Sequence, residues 1–355
     1  MIVRASLALA FVVTAAACDE PGGGRTVSDT ITPDATDTIT PDATDTITPD
    51  TNNDTGPDTS GSVPITNPSC IDGAYDEALP SDTASIQSLV SAYSAADYLA
   101  FVDQVLGVRY PLGQFLVSEG NRLGLSTFGN CIERFTSNRN SARSIMNQLS
   151  TVVHECGHIL DLKTASFSGS YYQITRDTTF TCSRGDTTTR GGDTFARSRI
   201  NDDEYSALLP SDSYRSIYLD GDPDDGTFDS GDQGFNSVLE ETTQYVNSLA
   251  TDWAFRDQLG GASISARDGI LTFLWYVERY LRMARLDFPN AYSRLSGDAC
   301  WRQAILTVWG RAWLYLELTD GIRSLGLNDT KLRALVTDPE LLSEIDRLRD
   351  LEGCP

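Results

Sequence analysis

Only two histidines occur in this 355-residue chain, and they stand four apart with a glutamate directly after the first: His154, Glu155 and His158, in Thr151-Val-Val-His-Glu-Cys-Gly-His-Ile-Leu160. On a helix, residues four apart project from the same side about one turn from each other, so both imidazoles can reach one metal ion. Imidazole nitrogen suits zinc, and the carboxylate between the two rings can take a proton from water as it attacks a carbonyl, then pass it to a leaving amine. The expected chemistry is amide hydrolysis, with His154 and His158 as zinc ligands and Glu155 as general base.

That chemistry needs a helix whose histidine face is turned to a cleft. Ile145, Leu149, Val152, Cys156 and Ile159 fall on one stripe at helical spacing, while His154, His158 and Asp161 project from the opposite side. The spacing predicts one helix over 141–162, opening after Asn140 with Ser141 as cap. Cys156 lies on the apolar side, which places it in the core or in a disulfide and not among the ligands.

The flanks extend the motif. Thr151 stands three before the first histidine, Val152, Cys156, Gly157 and Ile159 are uncharged, and Leu160 follows the second histidine by two. In these positions the segment resembles the zincin metallopeptidases. A catalytic zinc usually has three protein ligands and one open position. With Asp161 and Thr164 where a metzincin carries Gly and a third His, the third ligand must be a carboxylate or, failing that, water or tyrosine. The stretch from Gly234 to Val246 resembles the glutamate helix of gluzincins; that resemblance puts Glu240 on the ligand position, Tyr245 on the family's tyrosine and Gln244 where a polar supporting residue often sits. Glu241, Asp229 and Glu204 are the alternatives. Asp229 enters because residues 226–229 resemble the start of the aspzincin signature, from which Asp232 and Gln233 then depart. With no further histidine, the oxyanion should be met by Tyr or Arg, and Tyr245, Tyr276 and Tyr280 are the candidates. Alternating carboxylates from Asp220 to Asp225 suit a calcium ion or a solvated acidic loop, although Asp225 occupies the glycine position of an EF-hand.

Around this motif, helical patterns are expected over 81–106, 237–255, 266–286, 298–318 and 339–350, and a strand over 170–182. Trp275, Tyr276, Tyr280, Trp301, Trp309, Trp313 and Tyr315 form an aromatic stripe that reads as core. The expected fold class is α+β and predominantly helical: a zincin-like catalytic domain with a small β element and a helical C-terminal part. Gluzincins place a small sheet before the histidine helix, and here only Gly113–Ser118 offers a strand in that place.

The remaining sequence concerns location. Arg4, the apolar run from Ala5 to Ala17 and the Ala-Ala-Ala-Cys18 that ends it resemble a lipoprotein leader and lipobox, with Ala15 where the pattern prefers Leu. Residues 19–69 carry the octad Asp-Thr-Ile-Thr-Pro-Asp-Ala-Thr, starting at Asp29, Asp37 and Asp45, and read as a solvated stalk. Residues 70–355 then make one metallopeptidase-like domain. A net charge of −23, with lysine only at Lys163 and Lys331, argues against nucleic acid as a partner. Cys70, Cys131, Cys156, Cys182, Cys300 and Cys354 suggest disulfides in an exported chain, with Cys70–Cys354 as a closure of the domain's ends. The reading is an exported zinc peptidase, lipid-anchored through Cys18 to the bacterial membrane and acting on peptide or protein substrates. The alternative is a catalytically inactive surface binding protein of the same fold with a structural metal.

Overall fold

A computed structural model describes residues 63–165, 169–183, 195–225, 227, 229–259 and 265–355. The leader and the octad repeats lie outside them. The described residues are mostly helical with one small sheet. In chain order the helices before that sheet are α1 (Gln87–Ser91), α2 (Tyr98–Arg109), α3 (Pro111–Phe128), α4 (Cys131–Arg134), α5 (Ala142–Met146) and α6 (Leu149–Thr164). The antiparallel hairpin β1 (Gly169–Gln173) and β2 (Thr179–Ser183) follows, with Gly169 opposite Ser183 and Gln173 opposite Thr179. After it come α7 (Asp203–Leu208), α8 (Ser213–Tyr218), α9 (Phe235–Phe255), α10 (Ala266–Asp287), α11 (Pro289–Gly297), α12 (Ala299–Leu318), α13 (Asp329–Val336) and α14 (Pro339–Leu351).

The histidine helix is shorter than its apolar stripe predicts. Ser141 does cap α5, accepting from the Ser144 amide, but the helix breaks at residues 147–148. The cause is the Gln148 side chain, which folds back on the preceding loop: it accepts from the amides of Ser137 and Asn138 and donates to the Asn138 and Ser144 carbonyls. The segment Gly113–Ser118, read as a possible strand, lies inside α3, which opens with Pro111 in its first turn. Among the described residues the sheet therefore follows the histidine helix instead of preceding it. The expected strand over 170–182 is two strands around a turn, in which the Ile174 amide bonds to the Thr178 carbonyl.

The histidine helix α6 packs between α3 and α9. Both contacts are backbone-close. A Cβ at residue 120 would lie 2.0 Å from the Cys156 carbonyl oxygen, and a Cβ at residue 157 would lie 2.0 Å from Gln244 Oε1. Glycine at both places lets the three helices approach without a side chain in between. Cys156 is also joined to Cys131 of α4, so α6 is tied covalently at a residue between its two histidines.

The aromatic stripe is core: Trp275, Tyr276, Tyr280, Trp301, Trp309, Trp313 and Tyr315 are all buried. Cys182–Cys300 joins the hairpin to α12, and Cys70–Cys354 closes the two ends as expected. Several residues assigned from sequence to the stalk are fastened to the domain. The Ile65 carbonyl accepts from Trp309 Nε1 and Arg349 Nη2, each at 2.7 Å, and Asn67 Nδ2 donates to the Pro355 carbonyl. Buried ion pairs Arg349–Asp72 and Arg311–Glu77, both at 2.9 Å, continue that seam.

Glu278 of α10 is fully buried, and neither carboxylate oxygen has a hydrogen-bond partner. Burial, reinforced by the charges of Asp338 and Glu344, holds its pKa well above the ordinary glutamate range. Folding therefore takes up a proton there, and the resulting penalty grows as pH rises above the unfolded-state value. Glu278→Met keeps the volume and removes the polar atoms. Its thermal midpoint, followed by circular dichroism, should exceed that of the wild type at pH 8, with the gap narrowing toward pH 4. A lower midpoint at pH 8 would show that the carboxylate is needed.

Candidate metal centre

Helix α9 presents a stripe at spacings of four and three, Glu241, Tyr245 and Ser248, to the histidine face of α6. Glu241 Oε2 lies 3.5 Å from His154 Nε2 and 3.4 Å from His158 Nε2. These three residues offer ligand atoms within 4.8 Å of one another, and among the described residues no other group of three does so. Donor atoms about 2.0–2.1 Å from a tetrahedral ion lie about 3.3–3.4 Å apart, so the carboxylate-to-imidazole spacings fit zinc with little adjustment. Glu241 Oε2 is moreover buried, with no hydrogen-bond partner closer than the two imidazoles that face it.

The outer nitrogens of both rings are engaged, which sets their orientation. His154 Nδ1 is 3.0 Å from Ser248 Oγ, and His158 Nδ1 is 2.7 and 2.9 Å from the two oxygens of Glu240. Were a metal held at the two Nε2 atoms, each Nδ1 would carry its ring's hydrogen and donate it to these oxygens. Gln244 Nε2 donates to Glu240 Oε1 and to Asp161 Oδ2, while Asp161 Oδ1 accepts from the Gln173 amide of β1. Asp161 shares the histidine side of α6 as expected, but it is buried in this network and not open to a cleft.

The charges favour a cation. Burial pulls the His158 pKa down, but the neighbouring Glu240 and Glu241 carboxylates outweigh it and raise it well above the usual value. Burial likewise pushes Glu241 up, and the His158 and His154 charges overcome that and hold it far below the usual carboxylate range. A site that stabilises a proton so strongly offers the same field to a divalent ion. Two imidazole nitrogens and one carboxylate suit zinc by donor type.

Around the trio, Glu155 is half-buried and its carboxylate has neither a hydrogen bond nor an ion pair among the described residues. Tyr245 packs edge-on to the His154 ring at 4.9 Å, and its hydroxyl is 2.9 Å from that of Tyr218. Burial raises both phenols, with the Glu241 charge adding to the rise at Tyr218, so both stay protonated. The buried Arg197 guanidinium sits 5.1 Å from the Tyr218 ring centre and donates to Ser230 and Ser237. Burial lowers its pKa, and the Glu241 charge partly restores it.

The sequence reading placed Glu240 on the metal. The structure turns Glu240 to the far nitrogen of His158 and brings Glu241 to the convergence point, because successive side chains on a helix diverge by about 100°. Tyr245 is beside the site. Tyr280 instead donates to the Phe195 carbonyl, and Tyr276 is buried in the core. Asp229 serves a short turn, its amide donating to Asp232, and Glu204 accepts from Trp275. In the Asp220–Asp225 loop the carboxylates are spent locally: Asp222 accepts from the Asp224 amide, Asp225 from the Thr227 amide, and Asp224 pairs with Arg199. Among the described residues they form no group of three with ligand atoms within 4.8 Å of one another. Ser248, Tyr218 and Arg197 were missed; of these only Ser248 had a sequence signal, standing seven residues after Glu241 on the same helix face. A cavity of about 240 Å³ lined by Asp103, Gln114, Phe115, Ser118 and Arg176 shares no residue with the centre.

Comparison with known proteins returned no matching family model, no matching curated protein and no matching solved structure. The site thus stands on its own geometry.

The two adjacent glutamates should separate in a metal titration. Glu241→Ala should abolish stoichiometric zinc binding by isothermal calorimetry, whereas Glu240→Gln should keep the stoichiometry and lose about 10- to 100-fold in affinity. The reverse order would return the ligand role to Glu240.

Proposed function

We propose that the chain is a zinc-dependent peptidase in which His154, His158 and Glu241 hold the ion and Glu155 moves the proton. The observation that carries this reading is the meeting of Glu241 Oε2 with both Nε2 atoms at 3.4–3.5 Å, beside the Glu155 carboxylate, which has no partner among the described residues. Zinc bound there would supply Lewis acidity toward water and a substrate carbonyl. Glu155 would take the proton from the attacking water and deliver it to the departing amine. Of the two hydroxyl hydrogens of Tyr218 and Tyr245, one is used between them, which leaves the other to donate to the developing oxyanion.

The three disulfide pairs support export to an oxidising compartment, and the leader with Cys18 supports lipid anchoring there. No helix among the described residues is long and apolar enough to cross a membrane. One observation favours the second reading, a binding protein with a structural metal: the sheet that lines the substrate groove in gluzincins has no counterpart before α6 among the described residues.

The two readings part at Glu155. In the peptidase, Glu155→Gln retains one zinc per chain and lowers peptide cleavage by about 10²- to 10⁴-fold. Tyr245→Phe lowers kcat by about 10- to 100-fold with little change in KM, as expected of a donor used only in the transition state. Cleavage of a peptide library, read by mass spectrometry, measures both. A zinc-loaded wild type that cleaves none of the library would establish the binding protein instead.

A further inference from the structure

Glu240 and Glu241 are chemically identical neighbours that both reach His158, one at Nδ1 and the other at Nε2. Something must decide which faces the ion. We infer that Gln244 makes this choice, as a positioning residue that pins Glu240 to the outer nitrogen of His158 and so reserves the metal for Glu241; the inference rests on the metal centre proposed above.

The side-chain amide of Gln244 is fully committed. Its nitrogen donates to Glu240 Oε1 at 3.1 Å and to Asp161 Oδ2 at 3.0 Å. Its oxygen accepts from Asn247 Nδ2 at 2.9 Å, and Asn247 Oδ1 in turn accepts from the Tyr110 hydroxyl at 3.1 Å. Gln244, Asn247, Asp161 and Tyr110 are all buried. A flipped amide would aim its oxygen at the Glu240 carboxylate and its hydrogens at the Asn247 donor, which disfavours that orientation. Asp161 is fixed independently by the Gln173 amide, which anchors the arrangement on β1.

The other wall is Gly157. A Cβ there would stand 2.0 Å from Gln244 Oε1, so the amide lies directly against the backbone of the ligand helix. One side chain thus touches α6 between its two histidines, holds the carboxylate that orients one of them, and leaves the adjacent carboxylate free. Without it, Glu240 loses its tether and competes with Glu241 for the ion, and the His158 ring loses its fixed partner.

The test is a double-mutant cycle read by cobalt(II) binding to the purified chain, using the visible ligand-field band for geometry and chelator competition for affinity. Gln244→Ala should weaken cobalt binding about 10- to 100-fold and alter the band. Gly157→Ala should do likewise by displacing the amide, even though alanine is the better helix former. In the Gln244→Ala background, Gly157→Ala should cost nothing further, because the group it displaces is gone. Circular dichroism of each variant separates these effects from misfolding, and Gly157→Ala carries the test if Gln244→Ala does not fold. Wild-type affinity and band in Gln244→Ala, or an additive loss in the double variant, would overturn the positioning role while leaving the metal centre intact. A wild-type chain that gives no cobalt band would overturn the centre itself and this inference with it.

Discussion

The proposed metal centre depends on how closely α6 can be pressed between its neighbours, because its donor atoms would have to meet within a few tenths of an ångström while belonging to different helices. Side chains in a packed core hold helix axes about 8–10 Å apart. Glycine at 120 brings the α6 backbone against α3, and glycine at 157 admits the Gln244 amide from α9. The Cys131–Cys156 bond adds a covalent tie at the same turn. Any side chain in either contact would move both histidines relative to Glu241, and a fit at 3.4–3.5 Å leaves little room for that.

Given that packing, the carboxylates around the centre divide the work by the partners each one has. Glu241 meets the two Nε2 atoms and has no hydrogen-bond partner on Oε2. Glu240 faces the outer side of His158. Asp161 bridges the hairpin and Gln244, and burial together with the Glu240 charge raises its pKa well above the usual range. The Glu155 carboxylate has no hydrogen-bond or ion-pair partner among the described residues. Chemically similar groups, set a few residues apart on two helices, thereby acquire distinct roles from geometry alone.

Much of this was legible in the sequence. The pair of histidines around Glu155, the long helices from α9 onward and the burial of the tryptophans follow from local spacing and composition; the even cysteine count implies disulfides, but their pairing, Cys70–Cys354 included, is set by the fold. What local pattern cannot convey is which way a helix is rotated about its axis. That rotation separates Glu240 from Glu241, and it is set by tertiary contacts: the Gln244 amide against Gly157 and the Ser248 hydroxyl on His154. Two more differences have the same origin. The break before α6 comes from a Gln148 side chain satisfying a loop ten residues upstream, and the attachment of residues 65–67 comes from partners 244 to 288 residues away. Arg197 and Tyr218 had no sequence signal, since each reaches the site from a short helix with no motif.

The central claim is that two imidazoles and one carboxylate on α6 and α9 form a zinc site. Zinc K-edge X-ray absorption on the purified, zinc-loaded chain tests it directly. The account predicts one zinc per chain, with two imidazole nitrogens at about 2.0–2.1 Å and carboxylate or water oxygen at about 2.0–2.2 Å in a four- or five-coordinate shell. An all-oxygen six-coordinate shell, or no zinc retained at stoichiometry, would contradict it.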